Sequence, residues 1–329
     1  MTFLRKTIAL VVLLAAAAAA YFYWWSQKPI TLDAPAIPFT INKGSGAHAA
    51  GQQIADAGVP IRPLLFNMLA RATGKSAKLK AGSYELKPGT TPLRLIDQLV
   101  RGEFAQESLT IIEGWTFRQM RQAIAAHTGL RHDTVQLSDK ELMERVSPGF
   151  TEPEGLFFPD TYLFAKGSSE LDIYRKAHAA MLQHLKEAWD NRDPKLPYAN
   201  PYQALTMASI VEKETGQKSE RAMIASVFVN RLKLGMMLQT DPTVIYGLGP
   251  KFDGNIRKKD LETDTPYNTY TRAGLPPTPI ALPGRQSLAA ALAPAKSDAL
   301  YFVSRGNGTS HFSANLADHN KAVNRYQKQ

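Results

Sequence analysis

The stretch Pro201-Tyr-Gln-Ala-Leu-Thr-Met-Ala-Ser-Ile-Val-Glu-Lys-Glu-Thr-Gly216 is the part of the sequence around which the fold is organised. It predicts one helix, because proline suits a first helical turn and glycine suits a helix end. At about 100° per residue, one broad apolar arc of this helix comprises Ala204, Leu205, Met207, Ala208, Ile210 and Val211. The opposite side is predicted to carry Thr206, Ser209 and Lys213. The sequence therefore predicts a helix with one buried face.

Two glutamates of this stretch fall on the apolar side of the helix. Glu214 lies between Ile210 and Met207 on the helical wheel. Glu212 lies between two other apolar residues of the same arc. A carboxyl group held against apolar neighbours keeps its proton to higher pH, as a general acid that works near neutrality requires. Both residues are therefore candidates for proton transfer.

A structural interpretation of the same two acids is also open. An acid at the apolar edge of a helix commonly pairs with a buried arginine or caps a neighbouring helix. Arg221 and Arg231 are close enough in the sequence to be such partners.

The N-terminus predicts a membrane anchor. Arg5 and Lys6 precede an apolar run at 8–25 that is long enough for a slightly short membrane span and ends in aromatic residues. Positive charge before the run predicts a cytoplasmic tip at 1–7, with the body on the other side of the membrane. A cleaved signal peptide is the alternative, but bulky aromatic residues directly after the alanines make a poor mature start. Residues 26–38, which contain prolines, are predicted to be a short stiff linker.

Composition limits the classes of function. The chain has no cysteine, so disulfides, thiolate catalysis and thiolate metal sites are excluded. The net charge of +10 is diffuse and, for an exported body, favours anionic lipid headgroups or anionic cell-wall polymer over nucleic acid as partners. His178 and His184 show no metal-ligand spacing with acids, and neither a metal nor a cofactor is predicted.

A short unit recurs in the first part of the body: an alternating strand, a glycine turn, a Ser/Thr cap and an amphipathic helix. Its turns are Gly44-Ser45, Gly89-Thr90 and Gly114-Trp115-Thr116. The segment Leu86-Lys87-Pro88-Gly89-Thr90 resembles the turn of LysM-type glycan-binding modules, so 39–105 is predicted to be a small LysM-like βα subdomain. A purely structural βα subdomain without a ligand is the alternative.

Residues 106–329 are predicted to form a mainly helical domain with a short antiparallel sheet. Helices are predicted at 171–189, 223–234 and 287–292, and a hairpin at 301–313 around Gly306-Asn-Gly308. The loop at 152–162 combines acids with aromatic residues, which suits either the edge of a sugar site or core packing beneath a turn. The predicted fold class is α+β.

Several motifs together resemble the endolytic murein transglycosylases of the YceG-like family, over nearly the full chain. These motifs are Ala208-Ser-Ile-Val-Glu-Lys-Glu-Thr215, Val227-Phe-Val-Asn-Arg-Leu232, Leu238-Gln-Thr-Asp-Pro-Thr-Val244, Tyr267-Asn-Thr-Tyr270 and Gly274-Leu-Pro-Pro277. The resemblance implies an enzyme that cuts peptidoglycan glycan strands internally, in nascent strands beside the synthases, and leaves 1,6-anhydro-N-acetylmuramoyl ends.

The resemblance also implies the roles of individual residues. It maps the catalytic glutamate to Glu214, in the Lys-Glu-Thr context. Sugar and N-acetyl contacts are expected from Thr215, Gln239, Tyr267, Asn268 and Tyr270. Supporting roles are expected for Glu212, Asn230 and Arg231. Glu212 either raises the pKa of Glu214 by like-charge repulsion or pairs with a buried arginine. The expected location is the inner membrane, with a single span, a cytoplasmic N-terminus and a periplasmic body that binds glycan strands and cell-wall synthases.

Two other functions fit the sequence. One is a membrane-anchored glycan-binding scaffold for synthases, in which the acids are structural. The other is a muramidase with two acids, Glu214 together with Asp241 or Glu154, which would add water to the cleaved bond.

Overall fold

The computed structural model describes residues 2–214 and 217–327, which form an α+β structure with two compact units. The first unit extends to residue 107 and includes 163–167, and the second comprises 108–162 and the chain from 168 onward. The return of 163–167 to the first unit was not predicted. Thr215 and Gly216, which include a predicted contact residue and the predicted helix end, lie outside the described residues.

The elements are distributed over the two units, and among the described residues the longest stretch without helix or strand is 263–284. The first unit contains α1 (Thr2–Gln27), β1 (Ile37–Ile41), α2 (Ala47–Asp56), α3 (Pro63–Ala72), β2 (Gly82–Leu86) and α4 (Pro92–Arg101). Two strands cross the boundary between the units, β3 (Gln106–Thr110) and β5 (Thr161–Ala165). The second unit begins with α5 (Phe117–Ala125), β4 (Leu130–Arg131), α6 (Asp139–Val146), β6 (Ser168–Ser169), α7 (Glu170–Asp190) and α8 (Pro201–Glu214). It continues with α9 (Arg221–Lys233), α10 (Asp241–Leu248), α11 (Lys258–Glu262), α12 (Arg285–Leu292), β7 (Tyr301–Ser304), β8 (Ser310–Ser313) and α13 (Leu316–Tyr326).

Helix α1 is long and apolar enough to cross a membrane, over Phe3–Gln27. It extends beyond the predicted 8–25 at both ends. The predicted linker at 26–38 is not a free tether. Ile30 is buried in the core of the first unit, and its N–H donates to the Thr90 carbonyl. Trp25 packs against the same core, so apolar burial holds the segment that follows the helix.

The first unit is built on the antiparallel pair β1–β2, with α2 and α3 between these strands in the sequence. Phe39 and Tyr84 lie opposite each other in this pair, and their rings stack with centroids 5.5 Å apart. The Tyr84 hydroxyl donates to the Lys80 carbonyl at 2.7 Å, which satisfies the polar end of this buried ring. Binding of glycan by this unit stays a prediction.

The recurring strand–glycine–helix unit is present at all three predicted places. The glycines Gly44, Gly89 and Gly114 adopt φ values of 81°, 82° and 78°, where a side chain would be strained. The second and third helices begin at threonine caps, since Thr91 accepts from the Arg94 N–H and Thr116 from the Gln119 N–H. The predicted hairpin at 301–313 is also present, as β7 paired with β8.

Helix α8 is the centre of the second unit and is buried on more sides than predicted. It packs against α7, α9, α10 and α12. Thr206 and Ser209, expected on the exposed side, are 2% and 0% exposed. The Ser209 hydroxyl donates to the Thr206 carbonyl and accepts from the Ile280 N–H at 3.0 Å. Short hydroxyl side chains with such partners are compatible with the core, which a pattern of apolar residues alone does not show.

An ion pair fixes the C-terminal half of α8 to the start of α9. Arg221 donates to Glu212 at 3.1 Å, and their side chains are 7% and 6% exposed. The second oxygen of Glu212 accepts from the Gly284 N–H at 3.0 Å and from the Ser287 hydroxyl at 2.7 Å, at the start of α12. Glu212 is thus the acid that pairs with a buried arginine. Arg231, the other predicted partner, instead donates to backbone carbonyls.

We expect Arg221→Ala to lower the free energy of unfolding by about 3 kcal/mol, because it leaves the buried Glu212 carboxylate without its cation. Denaturant unfolding of the full chain in detergent measures this change. The matched control is Arg272→Ala, which removes an arginine from an exposed pair with Asp264 and should change stability little. Equal effects of the two substitutions would contradict this account of the pair.

Candidate active site

Glu214 is the last described residue of α8, and its side chain is partly exposed. Its Oε1 accepts a hydrogen bond from the Thr240 hydroxyl. Burial raises the pKa of the Glu214 carboxyl, the Thr240 hydrogen bond partly opposes this rise, and the negative charge of Asp241 adds to it. The like charge that acts on Glu214 is therefore that of Asp241, whereas Glu212 is paired with Arg221.

Thr240 is held in place by a cluster of buried threonines. The Thr240 N–H donates to the Thr269 hydroxyl at 3.1 Å, and the Thr243 hydroxyl donates to the Thr240 carbonyl at 2.8 Å. The hydroxyls of Thr243 and Thr269 lie 2.9 Å apart. These bonds use the backbone of Thr240, so its side chain remains available to Glu214. Thr240 was quoted within a sequence motif, but its role was not predicted.

Gln239 has an unusual backbone conformation beside this cluster. With φ at 50°, it is the only non-glycine residue of positive φ in the described ranges 2–214 and 217–327. Such a conformation costs about 1 kcal/mol or more and persists where the surroundings impose it. Its N–H donates to the Thr269 carbonyl at 3.0 Å, and its side chain is exposed. The structure thus leaves the Gln239 side chain free to contact a ligand next to Thr240.

Tyr270 and Asp241 form a second polar contact at this end of α10. The Tyr270 hydroxyl donates to Asp241 Oδ1 at 2.6 Å. Burial, the bond to Asp241 and the charge of Glu214 all raise the pKa of Tyr270. The phenol therefore stays protonated near neutrality. The structure brings Glu214, Thr240, Asp241 and Tyr270 into one electrostatic cluster.

The other predicted contact residues of this loop have different positions. Asn268 is 0% exposed, and its amide donates to the carbonyls of Asp260, Leu261 and Thr263. With no exposed surface, Asn268 holds the loop and does not fit the predicted sugar contact. Tyr267 is partly exposed, and its hydroxyl lies 2.9 Å from the Thr278 hydroxyl.

The two predicted supporting residues of α9 hold the chain directly before β7. Asn230 donates to the carbonyls of Ser297 and Ala299 at 2.8 and 3.1 Å. Arg231 donates to the Leu300 carbonyl at 2.7 Å and to the Leu238 carbonyl at 2.8 Å. The second of these bonds holds the chain directly before Gln239, so Arg231 supports the loop that carries Thr240.

A cavity of about 900 Å³ lies at the opposite end of α10. Its lining includes Glu154, which is 6% exposed and accepts from the Phe117 N–H at 3.0 Å and from the Tyr246 hydroxyl at 3.1 Å. Burial raises the pKa of Glu154 to about 7, although these hydrogen bonds oppose the rise. The sequence placed Glu154 in a loop rich in acids and aromatic residues, for which the edge of a sugar site was one of two predicted roles.

The rest of that loop belongs to the core. Leu156, Phe157 and Phe158 are 1%, 0% and 6% exposed. Gly155, with φ at 80°, packs so closely on Pro279 that a Cβ at this position would lie 2.4 Å from a proline carbon. Of the two predicted roles for the loop, core packing fits its aromatic residues, whereas its acidic start lines the cavity of about 900 Å³.

In the part of the chain that the structure describes, no three His, Cys, Asp or Glu side chains lie close enough together to hold a metal ion. The arrangement around Glu214 instead suits proton transfer. One carboxyl oxygen is held by a hydroxyl, and burial raises the pKa of the carboxyl, which favours its protonated form.

Comparisons with known proteins agree on one family. The YceG-like family model matches residues 39–325. The chain is 34% identical to the endolytic murein transglycosylase of Bacillus subtilis (strain 168), over 88% of this chain and 84% of that protein. It is 28% identical to the endolytic murein transglycosylase of Streptococcus pneumoniae serotype 2 (strain D39), over 86% of this chain and 57% of that protein. A solved structure of a YceG-like protein from Listeria monocytogenes matches with a TM-score of 0.56 and 32% identity, over 87% of this chain and 98% of that one. The chain therefore belongs to the YceG-like family.

Proposed function

We propose that this protein is a lytic transglycosylase that cleaves murein glycan strands internally, with Glu214 as the acid and base. The observation that carries the proposal is the Glu214 carboxyl, which is partly exposed, has a raised pKa and is held through one oxygen by Thr240. The names of the Bacillus and Streptococcus relatives, endolytic murein transglycosylase, support the substrate class.

In the first step of the proposed reaction, Glu214 protonates the glycosidic oxygen that leaves C1 of the muramoyl unit. Because Oε1 accepts from Thr240, Oε2 is the oxygen that carries the proton to the substrate. In the second step, the carboxylate takes the proton of the substrate's own 6-hydroxyl while the 6-oxygen bonds to C1. One C–O bond breaks, one forms, and Glu214 regains its proton without consuming water. The acetamido group of the sugar can stabilise the cationic centre, as in substrate-assisted glycosidases.

This reaction explains why one carboxyl of suitable pKa is sufficient. Glycosidases that add water need a second acid as base or nucleophile. Asp241 is close enough to Glu214 to influence its pKa, so it is the candidate for the second acid that hydrolysis would need. However, Asp241 accepts the Tyr270 hydroxyl at 2.6 Å, and this bond occupies one of its oxygens. Glu154 lies at the other end of α10 and is bonded to Tyr246.

Contacts with the sugars are proposed for residues that surround Glu214 and retain exposed surface. Gln239 and Tyr270 are two such residues, since Gln239 precedes Thr240 and Tyr270 bonds Asp241. Tyr267 can offer its ring, because aromatic faces pack against the apolar faces of sugars. Thr215 remains a proposed contact on the basis of its position next to Glu214 in the sequence.

We also propose that α1 anchors the protein in the inner membrane with the N-terminus in the cytoplasm. Arg5 and Lys6 precede the apolar segment, which favours this orientation. The catalytic unit would then act on the periplasmic side, on nascent strands close to the cell-wall synthases. The net charge of +10 suits an anionic membrane surface or polymer.

We expect Glu214→Gln to fold normally but to lower the release of anhydro-muropeptides from purified sacculi by about 100- to 10,000-fold, because the amide cannot donate or accept the reacting proton. Liquid chromatography with mass spectrometry measures the products. Glu144→Gln, at an exposed position of α6, is the matched control and should behave as wild type. Full activity of Glu214→Gln would refute the assignment. A reducing end with solvent oxygen in the wild-type product would identify a hydrolase instead.

We expect Thr240→Val to shift the alkaline limb of kcat/KM to higher pH and to lower its maximum by up to about 100-fold. The Thr240 hydrogen bond stabilises the carboxylate and lowers the pKa of Glu214, so its loss raises this pKa further and the acid stays protonated to higher pH. The rate falls because the carboxyl loses its fixed orientation. A pH–rate profile measures both effects.

Thr240→Ser is the control, since it keeps the hydroxyl and should keep the wild-type profile. An unchanged limb in Thr240→Val, or the same shift in both variants, would show that the hydroxyl does not set the pKa of Glu214. The backbone bonds of Thr240 to Thr243 and Thr269 are retained in both variants, so the loop should keep its conformation.

A further inference from the structure

The cavity of about 900 Å³ at the C-terminal end of α10 has charged groups of both signs on its wall. Arg118 and Glu152 line it, are exposed, and form no ion pair with a described residue. The other arginine of the wall, Arg121, is already paired with Asp139. The cavity thus offers one free cation and one free anion among its described lining residues.

The floor of the cavity carries less than a full negative charge near pH 7. Glu154 carries a proton in a large part of the population at that pH, because burial raises its pKa to about 7. Its position is fixed from two sides, by the Phe117 N–H at the start of α5 and by the Tyr246 hydroxyl on α10. A partly protonated Glu154 repels a ligand carboxylate near Arg118 less than a full negative charge would. The free groups therefore suit a ligand that carries both a carboxylate and an ammonium group.

Two elements connect this cavity to Glu214. Helix α10 has Asp241, which acts on the pKa of Glu214, at one end and Tyr246 of the cavity wall near the other. Tyr246 is five positions after Asp241, which corresponds to about 8 Å along a helix. The loop that bears Tyr270 next to Asp241 also bears Tyr267, whose ring packs against Tyr246 with centroids 4.9 Å apart. The cavity wall and the surroundings of Glu214 therefore share one helix and one loop.

We propose that this cavity binds the stem peptide that murein carries on its muramoyl sugars, with Arg118 holding a peptide carboxylate and Glu152 a peptide ammonium group. The inference rests on the proposed function for the identity of the polymer. It adds that the enzyme recognises the peptide as well as the glycan, so that peptide-bearing strands are better substrates than bare ones. A charge-assisted bond from arginine to a carboxylate gives the peptide its orientation.

The first experiment compares kcat/KM of the full chain in detergent on uncrosslinked strands with their peptides and on the same strands after an amidase has removed the peptides. We expect the wild type to prefer the peptide-bearing strands by about tenfold or more, as a charged hydrogen bond provides. Arg118→Ala and Glu152→Gln should each bring this ratio close to one. Lys195→Ala removes an exposed charge from a loop outside the cavity and is the matched control, with the wild-type ratio.

A second experiment does not depend on catalysis. Calorimetric titration measures the binding of the free tripeptide L-Ala–γ-D-Glu–meso-diaminopimelate to the full chain, to Arg118→Ala and to Lys195→Ala. Weaker binding in Arg118→Ala alone supports the proposal. Three results would overturn it. The wild type could cleave peptide-bearing and bare strands with equal kcat/KM, Arg118→Ala could keep the wild-type preference, or all three proteins could bind the tripeptide equally. If no strand is cleaved by any variant, the proposed function fails, and the titration alone decides whether the cavity binds the peptide.

Discussion

Everything at the candidate active site depends on keeping one carboxyl group largely out of water while its side chain stays partly exposed. Burial raises the pKa of Glu214, and the hydrogen bond from Thr240 keeps that rise from going further. Desolvation thus raises the pKa of this carboxyl, and the single hydrogen-bond donor lowers it. The buried helix α8 provides the desolvation, because Glu214 is its last described residue and the preceding turns are packed in the core.

Two glutamates two positions apart on α8 have different tasks because of their partners. Glu212 meets Arg221, the Gly284 N–H and the Ser287 hydroxyl, so its charge is fully compensated inside the protein. Glu214 meets one neutral hydroxyl and the like charge of Asp241. The first arrangement stabilises a carboxylate and holds three helices together, whereas the second favours a proton on the carboxyl. The same residue type is structural in one case and suited to chemistry in the other.

Helix α10 has an acidic side chain near each end, and the two differ in how deeply they are buried. Asp241 and Tyr270 are at its N-terminal end beside Glu214, and Tyr246 bonds the deeply buried Glu154 near its C-terminal end. The threonine cluster fixes the start of this helix through backbone bonds. Because both ends are tied to packed elements, a strand bound at Glu214 and a group bound in the cavity would be held in a fixed relation. This rigidity is what positioning of a reacting bond requires.

The sequence by itself determined the helix of the central stretch, the apolar N-terminal helix, the strand–glycine–helix units, the C-terminal hairpin and Glu214 as the candidate acid. Each of these follows from local periodicity, from turn residues or from motifs, which are encoded within a few residues. Tertiary structure alone decided that Glu212 pairs with Arg221, that Asn268 is buried, that Thr240 bonds Glu214 and that Glu154 lies in a cavity. The partners in these contacts are 5 to 92 residues apart in the sequence. Burial and hydrogen bonding between distant residues depend on packing, which no local pattern specifies.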